Sequence, residues 1–229
     1  MAIAYDTSSI GTLANPATGI TVAITPTAGS DMIVVAAGGI PTTDKLTTIK
    51  YDGTDMDAVG TFQNGDGRGC YLHYLAIGTG PGTAKNVVIV GGSDAWQMGL
   101  ATYTGVDQTT PVDVSTQNSG TGASLYTDDL TTTVDGCFIV GSLRSGTSID
   151  TYNDTTVRQT ANGLSLFEDA SGTTASTVTV EMDITGAGTA SCGWVLAAFQ
   201  PVAAAGSLIK SVNGVLRANI KSWNGVILE

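Results

Sequence analysis

Between Met1 and Pro201 the chain is built of short apolar or alternating runs, each cut off by a cluster of Gly, Asp, Asn or Thr. An amphipathic helix needs apolar residues every three or four positions over about ten residues or more, whereas a strand needs only four to eight residues with a two-residue period. These runs meet the second condition and show no convincing long helix. They place strands at Ile3 to Asp6, Ile20 to Thr25, Met32 to Ala37, Leu46 to Asp52, Ala58 to Phe62, Cys70 to Ile77, Asn86 to Val90 and Trp96 to Tyr103. The second half adds Ser124 to Thr132, Cys137 to Leu143, Thr156 to Gln159, Leu164 to Glu168, Thr177 to Met182 and Ser191 to Phe199. Fourteen short strands separated by turns read as an all-β, two-sheet sandwich over residues 1–201.

Two kinds of strand are present. In Tyr71 to Ile77 the members Tyr71, His73, Leu75 and Ile77 share one side, as in a sheet with one buried face. Met32 to Val35 and Trp194 to Phe199 are apolar throughout and suit strands covered on both faces. Turns are marked by NGDG at Asn64 to Gly67, TGPG at Thr79 to Gly82 and TGAG at Thr185 to Gly188. Gly105 to Gly122, polar apart from scattered valines, reads as a surface loop or a crossing at the end of the sandwich. After Pro201 a run of small residues, 202–206, reads as a linker to a tail, 207–229.

Charge narrows the function. The 229 residues carry a formal net charge of −11, with 13% charged and 42% hydrophobic residues, so a general nucleic-acid-binding role, which requires a basic face, is disfavoured. The longest apolar stretches fall short of the ~20 residues of a membrane-spanning helix. The first residues, MAIAYDTSSIGTL, have no basic start and no apolar core of a signal peptide, so the expectation is a protein made in a reducing cytoplasm and not exported by that signal route. Cys70, Cys137 and Cys192 are odd in number and sit in apolar runs, so they are expected as buried free thiols.

Catalytic chemistry has thin support. His73 is the only histidine and lies mid-strand without a flanking motif, and no GxSxG, Walker loop, HExxH or paired CxxC is present. Asp52, Asp55 and Asp57 could offer oxygens to Ca²⁺, but they lack the twelve-residue loop with its terminal Glu and read as a solvated turn. Trp96, Tyr103, Trp194 and Trp223 could stack on a sugar; Trp96 and Trp194 lie in apolar strands and read as core. No catalytic residue, cofactor or metal site is expected.

The tail is the most distinctive feature. It states one phrase twice, IKSVNGV from Ile209 to Val215 and IKSWNGV from Ile220 to Val226, while the body shows no other obvious short repeat. Asn-Gly is the strongest two-residue hairpin signal, because both residues tolerate positive φ. Asn213-Gly214 and Asn224-Gly225 therefore predict a meander of Ser207 to Val212, Val215 to Trp223 and Val226 to Glu229. In that meander Val212 faces Val215, Trp223 faces Val226, and Lys210 meets Arg217. A helix is the rival, since Ile209, Val212, Leu216, Ile220, Trp223 and Ile227 recur every three or four positions, but each glycine would cost about 1 kcal/mol there. Lys210, Arg217 and Lys221 against Glu229 give residues 206–229 a net +2, leaving −13 on the rest. So small an apolar, cationic element needs a surface to cover it.

Several pieces of the body occur in a familiar order: AIAYD, IVVAA, TIKYDGTDMDAVG, GRGCYLHYLAI, GPGTAKNVVIV and ATYTGVDQTTPVD. With Tyr103 to Asp107 and Thr110 to Asp113 as the most telling part, the first 200 or so residues resemble a β-sandwich domain of phage virion proteins and some bacterial surface proteins. The tail is similar to the IKxxNGV repeats that close many tailed-phage structural proteins. Together these resemblances imply a jelly-roll-like body and a C-terminal attachment element, as in capsid decoration, head-fibre or tail-associated proteins. They imply other virion proteins as partners and a homo-oligomer, a trimer among its forms. The rival expectation is a carbohydrate-binding or adhesin module using loops Gly105 to Gly122 and Asn64 to Gly69. A hydrolase with paired carboxylates on a sandwich scaffold is a third.

Overall fold

The structure, a computed structural model, describes residues 2–14, 20–39, 48–63, 69–90, 96–122, 125–145, 155–161, 163–169, 174–183 and 191–203, with 211–212, 215–216, 222–223 and 226–227 in the tail. Every regular element among them is a strand. The first half holds β1 (Ala4–Ala14), β2 (Ile20–Ile24), β3 (Met32–Gly39), β4 (Thr48–Tyr51), β5 (Thr54–Asp55), β6 (Asp57–Gln63), β7 (Gly69–Ala76), β8 (Lys85–Val90) and β9 (Trp96–Thr104). The second holds β10 (Val112–Thr121), β11 (Leu125–Thr131), β12 (Phe138–Ser145), β13 (Thr156–Ala161), β14 (Leu164–Asp169), β15 (Thr177–Asp183) and β16 (Ser191–Phe199).

The chain forms an all-β sandwich, and it is deeper than two sheets. An inner sheet β1-β9-β3-β7-β6 and an outer sheet β2-β8-β4-β5 make the first half; an inner sheet β10-β16-β12-β14-β13 and an outer pair β11-β15 make the second. The inner sheets face each other through Met32, Val34, Ala36, Leu72, Tyr103, Val140, Leu166, Val195 and Phe199. Their other faces are covered by the outer sheets: Ile33, Val35, Trp96 and Leu100 lie under Val22, Ile49 and Ile89, while Ile139, Leu143 and Leu196 lie under Leu130, Val180 and Met182. Strands sandwiched on both faces must be apolar at every position, which is why β3 and β16 read as continuous apolar runs. Strand β7 obeys the alternation expected of it, with Cys70 and Leu72 toward the seam and Tyr71, Leu75 and Ile77 toward the outer sheet.

A long hairpin explains the first half. β1 pairs β9, β2 pairs β8, β3 pairs β7 and β4 pairs β5, all antiparallel, with the tip at Asp52-Gly53. Both tip residues have positive φ, 48° and 85°, as a two-residue hairpin loop requires. Rolling that hairpin so that β3 meets β9 and β4 meets β8 yields the order of a jelly roll.

Among the described residues the second half repeats seven of the nine strands of the first. β10, β11, β12, β13, β14, β15 and β16 occupy the places of β1, β2, β3, β6, β7, β8 and β9, and the inner sheets have matching order. Registers match too: Val34 pairs Ala101 as Val140 pairs Ala197, and Ala36 pairs Leu72 as Ser142 pairs Leu166. Even the bulges recur. Asp6 is the extra residue of β1 and Asp113 that of β10, while Val59 in β6 corresponds to Arg158 in β13. Contacts across the seam come in reciprocal sets, β1 on β13 with β10 on β6 and β9 on β14 with β16 on β7, as at a two-fold interface.

One sequence expectation is overturned. Gly105 to Gly122 is not one irregular stretch: residues 105–111 lie outside the strands, but Val112 to Thr121 form β10, the edge strand paired with β16. Its residues are mostly half-buried or exposed on both faces, so it carries no apolar alternation to read; the apolar partner β16 supplies its order.

The two bulged aspartates tie each first strand to the turn before the third. Asp6 accepts hydrogen bonds from the Thr27 backbone (3.0 Å), Ser30 and Thr102 (2.9 Å); Asp113 accepts them from the backbone and hydroxyl of Thr133 and from Cys137. Burial pushes both carboxyls up, but these donors outweigh it and hold them below the usual aspartate range. A depressed carboxyl stabilises the fold fully above its unfolded pKa and loses that contribution as pH falls through the folded value. Urea titrations should therefore show stability falling from about pH 4 downward, with Asp6→Asn and Asp113→Asn each flattening that acid limb; an unchanged acid limb in both variants contradicts the assignment.

Candidate functional site

Asn-Gly dipeptides need no tertiary help to turn a chain, and the described tail residues lie on either side of both. β17 (Ser211–Val212) pairs β18 (Val215–Leu216), with Val212 opposite Val215; β19 (Ser222–Trp223) pairs β20 (Val226–Ile227), with Trp223 opposite Val226. These are the cross-strand pairs that the sequence predicts, and the described residues are strands rather than the rival helix. Ile209, Lys210, Asn213, Gly214, Arg217, Ile220, Lys221, Asn224 and Gly225 lie outside the described residues, as do the middle of the predicted central strand and the Lys210–Arg217 pairing. Of the linker 202–206, Val202 is held to the body by its N–H on Gly105 O at 2.8 Å, beside a bridge from Pro201 to Val106.

Other residues singled out from the sequence are placed as parts of the scaffold. His73 is buried, and burial holds its imidazole below the usual value. It pairs with Val35 at the place where Phe167 meets Gly141 in the second half, so it fills a core position of the repeat. Gly141 is required there, since a Cβ on it would lie 2.2 Å from Phe167 Cζ. Asp52 and Asp55 are paired with Lys85 (2.6 Å) and Lys50 (2.5 Å), and Asp57 opens β6. Among the described residues no three metal-ligating side chains stand together. Trp96 packs on Tyr71 with ring centroids 5.3 Å apart, and Trp194 donates its indole N–H to Asp128 at 2.7 Å. The turn sequences NGDG and TGAG lie outside the described residues, and in TGPG Gly82 has a φ of 64°.

The three cysteines are buried and free, as expected. Burial is the largest cause of their raised pKa values, pushed up to about 12 for Cys70 and Cys137 and about 11 for Cys192. Thiols so far from the thiolate form are poor nucleophiles.

The polar group that sequence reasoning missed lies in the seam. Tyr103 donates its hydroxyl to Glu168 at 2.7 Å, and Arg158 Nε donates to the other carboxylate oxygen at 2.7 Å. The Arg158 guanidinium lies 3.8 Å from the centre of the Tyr5 ring, and neighbouring Gln159 donates to Ser8 Oγ at 2.8 Å. The pseudo-two-fold mate of the Tyr103–Glu168 contact is Phe199 against Tyr74, an edge-on aromatic pair with centroids 5.7 Å apart. One corner of the seam is thus ionic and the other apolar. Burial pushes the Glu168 carboxyl above its usual value, and burial followed by the Glu168 charge pushes the Tyr103 phenol well above its own. Tyr103 is fully buried and Glu168 2% exposed, so this group fastens the halves together rather than facing a substrate. No residue motif announces it; the recurring Asp-then-Ser/Thr phrases Tyr5 to Ser9 and Val112 to Thr116 are one short sequence hint of the repeat that creates the seam.

No known protein family matches the chain, and no curated protein matches it significantly.

Removing Arg158 strands the Glu168 charge in the seam. Arg158→Ala should lower the unfolding free energy by about 2–4 kcal/mol, discounted for the 28% exposure of Arg158. Urea denaturation at pH 7 measures it, and a loss below about 0.5 kcal/mol would mean that Arg158 does not hold the Glu168 charge that Tyr103 meets across the seam.

Proposed function

We propose that this protein is a non-enzymatic bacteriophage virion structural protein, displayed on the particle as a capsid decoration, fibre or tail component and attached through its C-terminal repeat. The observation that carries the reading is the tail: two equivalent Asn-Gly hairpins with Val–Val and Trp–Val pairs, net +2, joined to a body of net −13. Hairpins of this size do not stand alone in water and gain stability by packing on a partner. The resemblance of body and tail to phage structural proteins supports the reading. Jelly rolls serve viral capsid proteins and lectins alike, so the fold admits both, and the tail favours the first. Stacking on a sugar by Trp96, Tyr103 or Trp194 would require them to leave the core, and Gly105 to Gly122 is largely strand, which lowers the carbohydrate-binding alternative. In this reading the partners are other virion proteins and further copies of the chain, joined in the host cytoplasm.

Deletion of residues 207–229 tests it. The shortened chain should remain soluble with an unchanged near-ultraviolet circular dichroism spectrum, and should be absent from purified particles that take up the full chain. Undiminished incorporation of the shortened chain sinks the reading.

A further inference from the structure

The repeat places a histidine where its second copy has a phenylalanine. His73 of β7 pairs Val35 on one side and Ala58 on the other, and the same place in the second half is held by Phe167 between Gly141 and Val157. His73 is 7% exposed, and among the described residues neither of its ring nitrogens has a hydrogen-bond partner. It is also the only histidine of the chain. A neutral imidazole can occupy such a place at some cost, whereas an imidazolium would lose its hydration with no hydrogen bond in return.

The layer between this side chain and water is one edge deep. Tyr71, His73 and Leu75 share one face of β7, and Tyr71 and Leu75 pack in the cluster that holds Ile49, Tyr51 and Met56 of the outer layer. Met56 forms the corner between β5 and β6; it is buried and donates its N–H to Ile49 O at 2.9 Å. Around it the chain is open: β5 is two exposed residues, β6 is the edge of its sheet, and Asp57 and Ala58 are exposed, with the Val59 bulge next in line. The Tyr51 hydroxyl is a second buried group without a partner. Two unsatisfied polar groups under a bulged edge put this corner at the low end of local stability.

Few charges act on the ring. Asp57 of β6 and the Met56 backbone favour its protonation, and burial outweighs both. Val35 of β3 and Ile49 and Met56 of the outer layer bring no charge, and the Tyr51 phenol stays neutral, pushed up by burial and then by the Asp52 charge. On β7 itself the Tyr74 phenol is likewise pushed up, by burial and then by Asp57. The two lysines of the outer layer, Lys50 and Lys85, are taken up by Asp55 and Asp52.

We propose that His73 is an acid-operated latch: neutral, it lets the β4-β5 hairpin and the corner into β6 close over β7, and proton uptake on the ring releases that corner while the second half stays shut. The proton comes from solvent, one for each opening. A base whose folded pKa is lowered contributes fully above its unfolded value, and that contribution is lost as pH falls below it. The latch therefore works below about pH 6.5, above the acid limb that Asp6 and Asp113 set. Phe167 takes up no proton, which is why the release is confined to one half.

The lone histidine gives a single imidazole signal in a proton–carbon NMR spectrum of the full chain, which can be followed as pH is lowered. The signal should remain that of a neutral ring until well below about pH 6.5. Amide exchange at residues 49–58, corrected for its intrinsic pH dependence, should report a corner whose opening constant rises up to about tenfold per pH unit below that value, with β13 and β14 unchanged. His73→Leu, of similar size, should remove the dependence. A ring that titrates near about 6.5 in the closed fold, exchange at 49–58 that ignores pH, or equal acceleration in both halves overturns the latch. A pH dependence that survives His73→Leu overturns it as well. The measurements on the unaltered chain decide the matter even if the variant fails to fold.

Discussion

Everything in this molecule depends on two sheets having no free face. The inner sheets meet each other on one side and an outer sheet on the other, so four strands, β3, β9, β12 and β16, are almost wholly buried. Such strands can pack only where apolar surface is available above and below, which couples the two halves to each other and to their own outer layers. The seam between Met32, Leu72 and Tyr103 on one side and Val140, Leu166 and Phe199 on the other is therefore the centre of a single structure.

The seam also shows how two copies of a fold become different. Equivalent positions hold Val35 with His73 and Gly141 with Phe167, so a larger residue on one strand is matched by a smaller one on its neighbour. At the corners, Tyr103 with Glu168 and Arg158 stands where Phe199 with Tyr74 stands across the pseudo-axis. Buried ions in apolar surroundings add little net stability but penalise every arrangement that leaves them unpaired. The ionic corner thus fixes which face meets which, while the apolar corner and the core supply most of the attraction.

How much of this is legible in the sequence follows from what is local. Strands such as Trp96 to Tyr103 and Ser191 to Phe199 are legible because burial on both faces writes an apolar run, and the tail turns because Asn-Gly decides its own geometry. β10 is not legible, since beyond Val112 and Val114 it is polar on both faces and takes its order from β16. Nor is the internal repeat: the compensating changes at Val35/Gly141 and His73/Phe167 erase identity while keeping volume, and leave scattered matches such as Asp6 over Asp113, Leu72 over Leu166, Leu100-Ala101 over Leu196-Ala197 and Ile33-Val34 over Ile139-Val140. The seam cluster joins Tyr103 to Glu168 over 65 positions, a distance that no periodicity reports. The four-layer depth is hidden for the same reason, because an apolar run says that both faces are covered but not by what.

The central claim is that one seam holds both halves as a single cooperative unit. Native-state amide hydrogen exchange as a function of urea tests it most directly. The account predicts that amides of β3 and β9 in the first half and of β12 and β16 in the second share one opening free energy, equal to that of global unfolding. Two separate isotherms, with one half opening while the other stays closed, would contradict it.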